Sequence, residues 1–341
     1  MTPPAEQVLK AIEEELPEEV IGREALEDCC GVASRLPHRV SSYYLECRLD
    51  EDPQVDFLVQ FKDRDRAASD LRAALPAVLS PGWERNIRLF QRWSDEASQL
   101  RDVPFLWLEY DMGGGFDRAM PEASPLIGVE RGYFARYRER PAPDHGDVLR
   151  RASAGLEVLA APAGSNDLQA AVERCVRALP AGGALIYVSW MIARMPPCLK
   201  LYLSLTKADV LPYLARIGWP GDEERARQVI EAHYLSAEQT VFLDVSFDGQ
   251  VLARIGFALS QLHRREMNHF TPDWAWLDVP RECVSKMAAV RRWPGITERP
   301  LDGHRTWLHR WLDLKFVLEK DGRLRTKAYL GFMPCPPLPF A

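Results

Sequence analysis

Cations and tyrosines recur at every second position in three apolar segments, and that spacing is where chemistry is concentrated. In residues 198–205 one parity carries Cys198, Lys200, Tyr202 and Ser204, and the other carries Leu199, Leu201, Leu203 and Leu205. Residues 251–259 set Leu252, Arg254, Gly256 and Ala258 against Val251, Ala253, Ile255, Phe257 and Leu259. Residues 325–332 set Arg325, Lys327, Tyr329 and Gly331 against Ala328, Leu330 and Phe332. Side chains alternate between the two faces of a strand, so each segment offers one greasy face and one bearing cations and aromatics or small residues. The chain as a whole carries 43 Lys plus Arg against 49 Asp plus Glu, a formal net charge of −6. No global field recruits nucleic acid or an anionic membrane, so an anionic ligand must be met by a local cluster of this kind.

The elements that position these residues come in pairs. Period-2 alternation predicts strands over 42–49 and 55–61, joined by Asp50-Glu51-Asp52-Pro53, and over 105–112 with a weaker candidate at 126–134. Further pairs are 185–193 with 198–205, 241–247 with 251–259 turning at Asp248-Gly249, and 312–319 with 325–332 turning at Asp321-Gly322. Helical spacing fills the intervals: 64–79 and 83–100, 147–159 and 166–179, 207–217 and 222–235, and 281–292, with 264–279 ambiguous. Two helices followed by two antiparallel strands, repeated about five times without a sequence repeat, predict an α+β chain: an antiparallel sheet with helices on one face. About ten strands are enough to close it into a barrel, which removes the exposed edges.

The polar face admits two readings. On an open sheet it is simply the solvated side. In a closed barrel of about ten strands it becomes a lumen too wide to be filled by side chains alone, hence a substrate chamber. The expected lining is Tyr44, Glu46, Arg48, Trp107, Glu109, Asp244, Lys315 and Val317, with the cations concentrated from the third strand pair onward.

Other chemistries are poorly supported. Seven scattered cysteines without a Cys-x-x-Cys pair read as reduced core thiols, and seven histidines without ligand spacing argue against a zinc site. Gly113-Gly114-Gly115 is a loop, not a nucleotide fingerprint, and no Asp-Asp-x-x-Asp helix holds magnesium. Asp50-Glu51-Asp52 and Asp63-Arg64-Asp65-Arg66 read as a hairpin turn and a solvated helix start. Of Trp274, Trp276, Trp293, Trp307 and Trp311, packing between helices and sheet is the expected role, with an acceptor-site lining as the alternative; Asp273, His304 and His309 have no visible catalytic partner. The longest apolar runs, such as 184–190, are too short to cross a bilayer, and residues 1–20 lack a secretory pattern, so a cytoplasmic protein is expected. We expect one domain over 1–341, with an N-terminal helical segment at 1–37 and a proline-rich tail at 334–341.

The repeated helix-helix-strand-strand order and the Lys-x-Tyr elements Lys200-Leu201-Tyr202 and Lys327-Ala328-Tyr329 resemble the ABBA-type aromatic prenyltransferases, in particular the dimethylallyltryptophan synthase-like branch. Arg254 matches the leading residue of an Arg-x-Lys-x-Tyr element, but Gly256 and Ala258 stand where that pattern has Lys and Tyr. Glu109, closing the proline-led strand Val103-Pro104-Phe105-Leu106-Trp107-Leu108-Glu109, falls where the family places a glutamate that contacts the acceptor's indole nitrogen.

The resemblance implies transfer of an isoprenoid from an allylic diphosphate to an electron-rich aromatic acceptor, a small molecule or a Trp or Tyr in a peptide, with no cofactor and no obligatory metal. It also implies roles: Lys200, Arg254 and Lys327, supported by Arg48 and Lys315, on the diphosphate; Tyr202, Tyr329 and Trp107 shielding the allylic cation; Glu109 orienting the acceptor or taking its proton. Nucleic acid and membrane are not expected partners. The alternative is a noncatalytic barrel that binds a peptide or a small apolar ligand.

Overall fold

The computed structural model describes residues 3–37, 40–50, 54–76, 79–112, 123–129, 144–160, 165–192, 197–234, 236–262 and 281–335. Eleven strands form one antiparallel sheet: β1 (Val40–Arg48), β2 (Val55–Phe61), β3 (Leu106–Tyr110), β4 (Ala123–Gly128), β5 (Ala184–Met191), β6 (Cys198–Thr206), β7 (Thr240–Asp248), β8 (Gln250–Leu262), β9 (Gly295–Leu301), β10 (His304–Leu318) and β11 (Leu324–Cys335). Each of β1 to β7 pairs with its successor, β8 pairs with β10, β10 with β11, and β11 with β1. Ten strands therefore close a ring, and β9 hangs outside it on the first half of β10.

The helices fall between strand pairs: α1 (Ala5–Ala11), α2 (Arg23–Ala33), α3 (Arg64–Ala74), α4 (Pro81–Ser94), α5 (His145–Leu159), α6 (Ser165–Arg177), α7 (Lys207–Arg216), α8 (Glu223–His233) and α9 (Arg281–Val290). Their starts are set by local chemistry: the Ser80 hydroxyl accepts the Trp83 N–H with Pro81 in the first turn, and Asp144 and Asp222 cap α5 and α8. Leu199, Leu201, Leu203 and Leu205 on β6, with Tyr43, Leu45 and Cys47 on β1, join the helices in one apolar layer that wraps the outside of the ring. A second, separate apolar cluster, Leu58, Phe105 and Trp107 with Tyr44, Leu126 and Tyr187, lies inside it. Strand parity thus divides greasy wall from lumen as the alternation predicts.

Several boundaries differ from expectation. Helix 83–100 is instead α4 followed by a short 3₁₀ turn at Gln99–Asp102, because Asp95 leaves the helical backbone region. β4 occupies Ala123–Gly128, beginning three residues before the expected 126; residues 130–134 lie outside the described residues, as do residues 193–196 between the third expected strand pair, Gly113-Gly114-Gly115, Asp273, Trp274 and Trp276. β10 starts at His304, eight residues before the expected 312, because β9 pairs with its first half through an Asp302-Gly303 turn. Both turn residues adopt positive φ, 50° and 76°, which suits a tight hairpin. The segment Gly295–Leu301 hides from a period-2 search because Glu298, Arg299 and Pro300 interrupt the alternation. β11 runs through Pro334 and Cys335 into the segment expected as a tail; β1 pairs no further than Phe332, so a proline there costs no ladder bond to β1. Residues 336–341 lie outside the described residues.

The described cysteines are free thiols, Cys29, Cys47, Cys175 and Cys283 among them buried. Among the described residues no helix is long and apolar enough to cross a membrane.

Candidate active site

The lumen holds two adjoining chambers. The larger has about 750 Å³ of free space, part of it open to solvent, and is lined by aromatic and aliphatic side chains including Tyr44, Leu58, Trp107, Leu126, Tyr187 and Tyr202, with Glu109, Asp313 and Ser189 among them. The smaller, about 320 Å³, is lined by Lys200, Arg254, Lys315 and Lys327 with Asp244, Ser246, Gly256 and Val317. Lys200, Asp244, Lys315 and Tyr329 line both and form the partition. Among the described residues the lumen is therefore polarised, with Lys200, Arg254, Lys315 and Lys327 gathered at one end beside the carboxylates of Asp244 and Glu46, and an aromatic wall bearing Glu109 and Asp313 at the other.

Strand register builds the cationic end. Lys200 on β6 neighbours Ser246 on β7, Asp244 neighbours Gly256 on β8, and Lys315 on β10 sits between Ala258 on β8 and Lys327 on β11. Lys315 Nζ donates to Asp244 Oδ2 and to the Tyr329 hydroxyl, the latter at 3.1 Å, while Lys200 Nζ lies 3.5 Å from the same carboxylate. Lys327 is paired with Glu46, which is 1% exposed. Lys315 also lies 5.1 Å from the Tyr329 ring centroid and 5.9 Å from that of Tyr202.

Burial opposes ionisation of Glu46, but Lys327, Lys315 and Lys200 hold its carboxyl well below the usual range; Lys200 and Lys315 do the same for buried Asp244. Burial lowers Lys315 to about 8, against the pull of Asp244. Tyr329 is pushed up by burial and by the carboxylates of Glu46, Asp244 and Glu109, so its hydroxyl keeps its proton.

At the aromatic end, Glu109 is 2% exposed on β3, level with Leu58 on β2 and Ser124 on β4. Trp107 tilts against Tyr44 with ring centroids 5.3 Å apart. Tyr44 in turn donates to Asp313 Oδ2 at 2.9 Å and accepts the Trp311 indole N–H at 2.8 Å. Gly331 makes room for that meeting: a Cβ there would stand 2.4 Å from Trp311 Nε1 and 2.6 Å from Tyr44 Cε1.

The structure brings Lys200, Tyr202, Lys315, Lys327, Tyr329, Arg254, Trp107 and Glu109 to the lumen. Arg254 sits at the rim of the smaller chamber, its Nε 3.1 Å from Glu319. Arg48 is the exception: it neighbours Lys327 in register, but its guanidinium turns to Asp56 at 3.7 Å and lines neither chamber. Of the tryptophans, Trp311 borders the lumen beside Tyr44, Trp293 is buried and donates to the carbonyls of Trp311 and Gly331, and Trp307 is partly exposed outside. Asp313, Tyr187, Leu58, Leu126 and Ser189 lie outside the expected lining, whereas Ala258 lies on the face the alternation assigns to it. Asp313 shares the parity of Lys315, and Leu58 and Ala258 follow the parity of their own strands, so for these the signal was present. Tyr187 was obscured by the register shift between Leu185 and Tyr187.

Among the described residues no group of three or more His, Cys, Asp or Glu side chains is placed to hold a metal ion.

No protein-family model matches the sequence, and no curated protein matches it. Among solved structures, the chain is similar to PriB, crystallised as a binary complex with product diphosphate, at 13% identity and a TM-score of 0.50, over 98% of this chain and 97% of that one. It is also similar to 5-dimethylallyl tryptophan synthase from Streptomyces coelicolor in complex with DMASPP and Trp, at 14% identity and a TM-score of 0.44, over 95% and 93% of the two chains. The first likeness, nearly end to end, assigns the closed ten-strand ring with its helical jacket to the ABBA prenyltransferase fold.

Proposed function

We propose that this chain transfers an isoprenoid group from an allylic diphosphate to an electron-rich aromatic acceptor, without a metal in the chemical step. The observation that carries this reading is the polarised lumen: Lys200, Arg254, Lys315 and Lys327 gather at one end, directly beside a sheltered aromatic chamber. The fold neighbour crystallised with product diphosphate adds support, since a barrel of the same architecture there accommodates that anion.

The residues divide the work in physical terms. As the allylic carbon–oxygen bond breaks, its electron pair leaves with the diphosphate and negative charge builds on the bridging oxygen. Fixed ammonium and guanidinium groups that grip harder as that charge develops lower the barrier. Lys200, Lys315 and Lys327 already lie in buried carboxylate contacts, so the diphosphate enters a preformed cation nest and competes with Asp244 and Glu46 for it. The allylic cation faces Tyr202, Tyr329 and Trp107, each able to stabilise it by about 0.5–2 kcal/mol. The aromatic ring attacks the allylic carbon to form the new bond; loss of the ring proton to a carboxylate then restores aromaticity. Glu109 is the carboxylate assigned to orient the acceptor and receive that proton, and Arg254 guards the rim of the diphosphate end.

The test is incubation with dimethylallyl or geranyl diphosphate and a panel of indoles, phenols and short Trp- or Tyr-containing peptides, with EDTA present, read by mass spectrometry. A mass gain of one isoprenoid unit on an acceptor supports the proposal. Absence of both transfer and diphosphate-analogue binding overturns it in favour of a noncatalytic ligand-binding barrel.

A further inference from the structure

One carboxylate stands where an anionic ligand has to bind. Asp244 on β7 lines both chambers, and its side chain keeps 10% of its surface open to them. Lys315 Nζ on β10 donates to its Oδ2, and Lys200 Nζ on β6 lies 3.5 Å from the same oxygen. Its register partner on β8 is Gly256, where a Cβ would stand 3.1 Å from Asp244 Cβ, so the bare backbone lets the carboxylate sit between the two lysines. The remaining groups that face it are Tyr202, its register partner on β6, with Arg254 on β8 and Tyr329 on β11 acting at longer range. Glu46 also holds a lysine, but it is 1% exposed, pairs with Lys327 and lines neither chamber.

In the empty barrel Asp244 offsets the repulsion between two buried ammonium groups on one chamber wall. For a ligand that takes both lysines, the same carboxylate is a like charge at close quarters, and that juxtaposition is strongly unfavourable where the dielectric is low. A chamber built only to hold the donor would be better served by a neutral side chain of the same shape. The difference lies in what leaves. Heterolysis of the allylic carbon–oxygen bond sends the bonding pair out with the diphosphate, so the product starts with one more negative charge than the ionised donor. The cations of the smaller chamber suit that product better than they suit the donor, and unopposed they would retain it. Repulsion from a fixed carboxylate grows with ligand charge, so it acts more strongly on the product than on the donor.

We infer that Asp244 drives product release: it reclaims Lys200 and Lys315 from the diphosphate after transfer and keeps turnover from stalling on bound product. This inference rests on the prenyl-transfer reading for the origin of the extra charge. Asp244 is thus a positioning residue that acts through two lysines, in opposition to their grip on the donor. The chemical step bears a penalty, because the carboxylate also opposes the charge that builds in the transition state.

The test compares Asp244→Asn, which keeps the shape and removes the charge, with the parent at pH 7, and repeats the comparison in a Lys315→Arg background. Asp244 helps to keep Lys315 charged against its burial, whereas a guanidinium stays charged without that help. Inorganic diphosphate, titrated by calorimetry, is expected to bind about tenfold tighter to Lys315→Arg/Asp244→Asn than to Lys315→Arg. With donor and a prenylated acceptor, Asp244→Asn in that background is expected to leave the single-turnover rate equal or faster, to lower steady-state kcat about fivefold, and to give a burst matching the enzyme concentration. Asp244→Ser supplies a second neutral side chain should the asparagine variant not fold. A merely structural carboxylate predicts weaker diphosphate binding, a slower single turnover and no burst. That pattern, or an unchanged diphosphate affinity, overturns the inference. So does a burst in the parent, which needs no variant at 244. If the parent binds inorganic diphosphate but prenylates no acceptor, the functional reading fails separately, and the calorimetric comparison still decides whether Asp244 opposes the anion.

Discussion

Lys315 on β10 reaches across the bare backbone of Gly256 on β8: a Cβ at 256 would stand 3.3 Å from Lys315 Cδ and 3.1 Å from Asp244 Cβ. The glycine thus occupies the position where the resembling family has a lysine, and a lysine from the next strand in the ring covers it. Gly256→Ala is expected to force Lys315 and Asp244 apart, raise the donor KM about threefold or more in steady-state kinetics, and cost about 1–3 kcal/mol of stability as overpacking.

Burial brings Lys315 down to about 8, so its charge is lost as pH rises through that value. The ammonium form dominates below that value and the neutral amine above it. Affinity for a nonreactive diphosphate analogue, measured by calorimetry from pH 6 to 10, is expected to fall as pH passes about 8 in the parent. Lys315→Arg, whose guanidinium stays charged, is expected to move that fall beyond pH 9.

The buried Lys327–Glu46 pair gives a stability prediction as well as a binding one. Removing the lysine alone strands a carboxylate that is 1% exposed, so Lys327→Met is expected to lose about 3–5 kcal/mol in denaturant unfolding. Adding Glu46→Gln to it should recover most of that loss. The recovered double variant is expected to remain weak in diphosphate binding, as is Lys200→Ala, because the ligand loses a cation in each.

Glu109→Gln preserves shape and removes only the charge and the basic oxygen. Its expected effect is on turnover: kcat lowered about 100-fold, within the range for loss of a general base, with donor affinity near the parent value. Equal loss of donor affinity would reassign Glu109 to the diphosphate end.

Asp56 is a pH-dependent liability. Burial, with Glu46 and Asp111 nearby, raises its carboxyl from 3.8 to about 7, while it accepts the Met112 N–H at 3.0 Å. Between roughly pH 4 and 7 the folded chain holds a proton that the unfolded chain has lost, so stability declines as pH rises through that window and levels above it. Thermal melts at pH 5 and 8 are expected to show the decline, and Asp56→Asn, which can still accept from Met112, should flatten it by about 2–4 kcal/mol.

The lumen residues were legible because parity is a local property. Lys200, Tyr202, Arg254, Lys315, Lys327 and Tyr329 were assigned to one face from alternation alone, and closure of the sheet made that face the interior. The same rule lost its grip where a strand is irregular. Tyr187 follows a register shift, β9 contains a proline and two charges, and Arg48 has the right parity but a long side chain that turns to Asp56.

Alternation of leucine with lysine and tyrosine, the Asp-Gly turns and the order of helices and strands were enough to determine the paired antiparallel strands, their greasy and polar faces and the residue types on each, while closure into a ring was decided by the tertiary structure. These depend on backbone geometry and hydrophobic burial, which act over a few residues. Which cation meets which carboxylate, how Lys315 covers Gly256 and how Gly331 lets Trp311 reach Tyr44 were decided only by the tertiary structure. Those contacts join strands far apart in the chain, Lys327 with Glu46 and Tyr44 with Asp313 among them, and their distances are set by the closure and stagger of the whole ring.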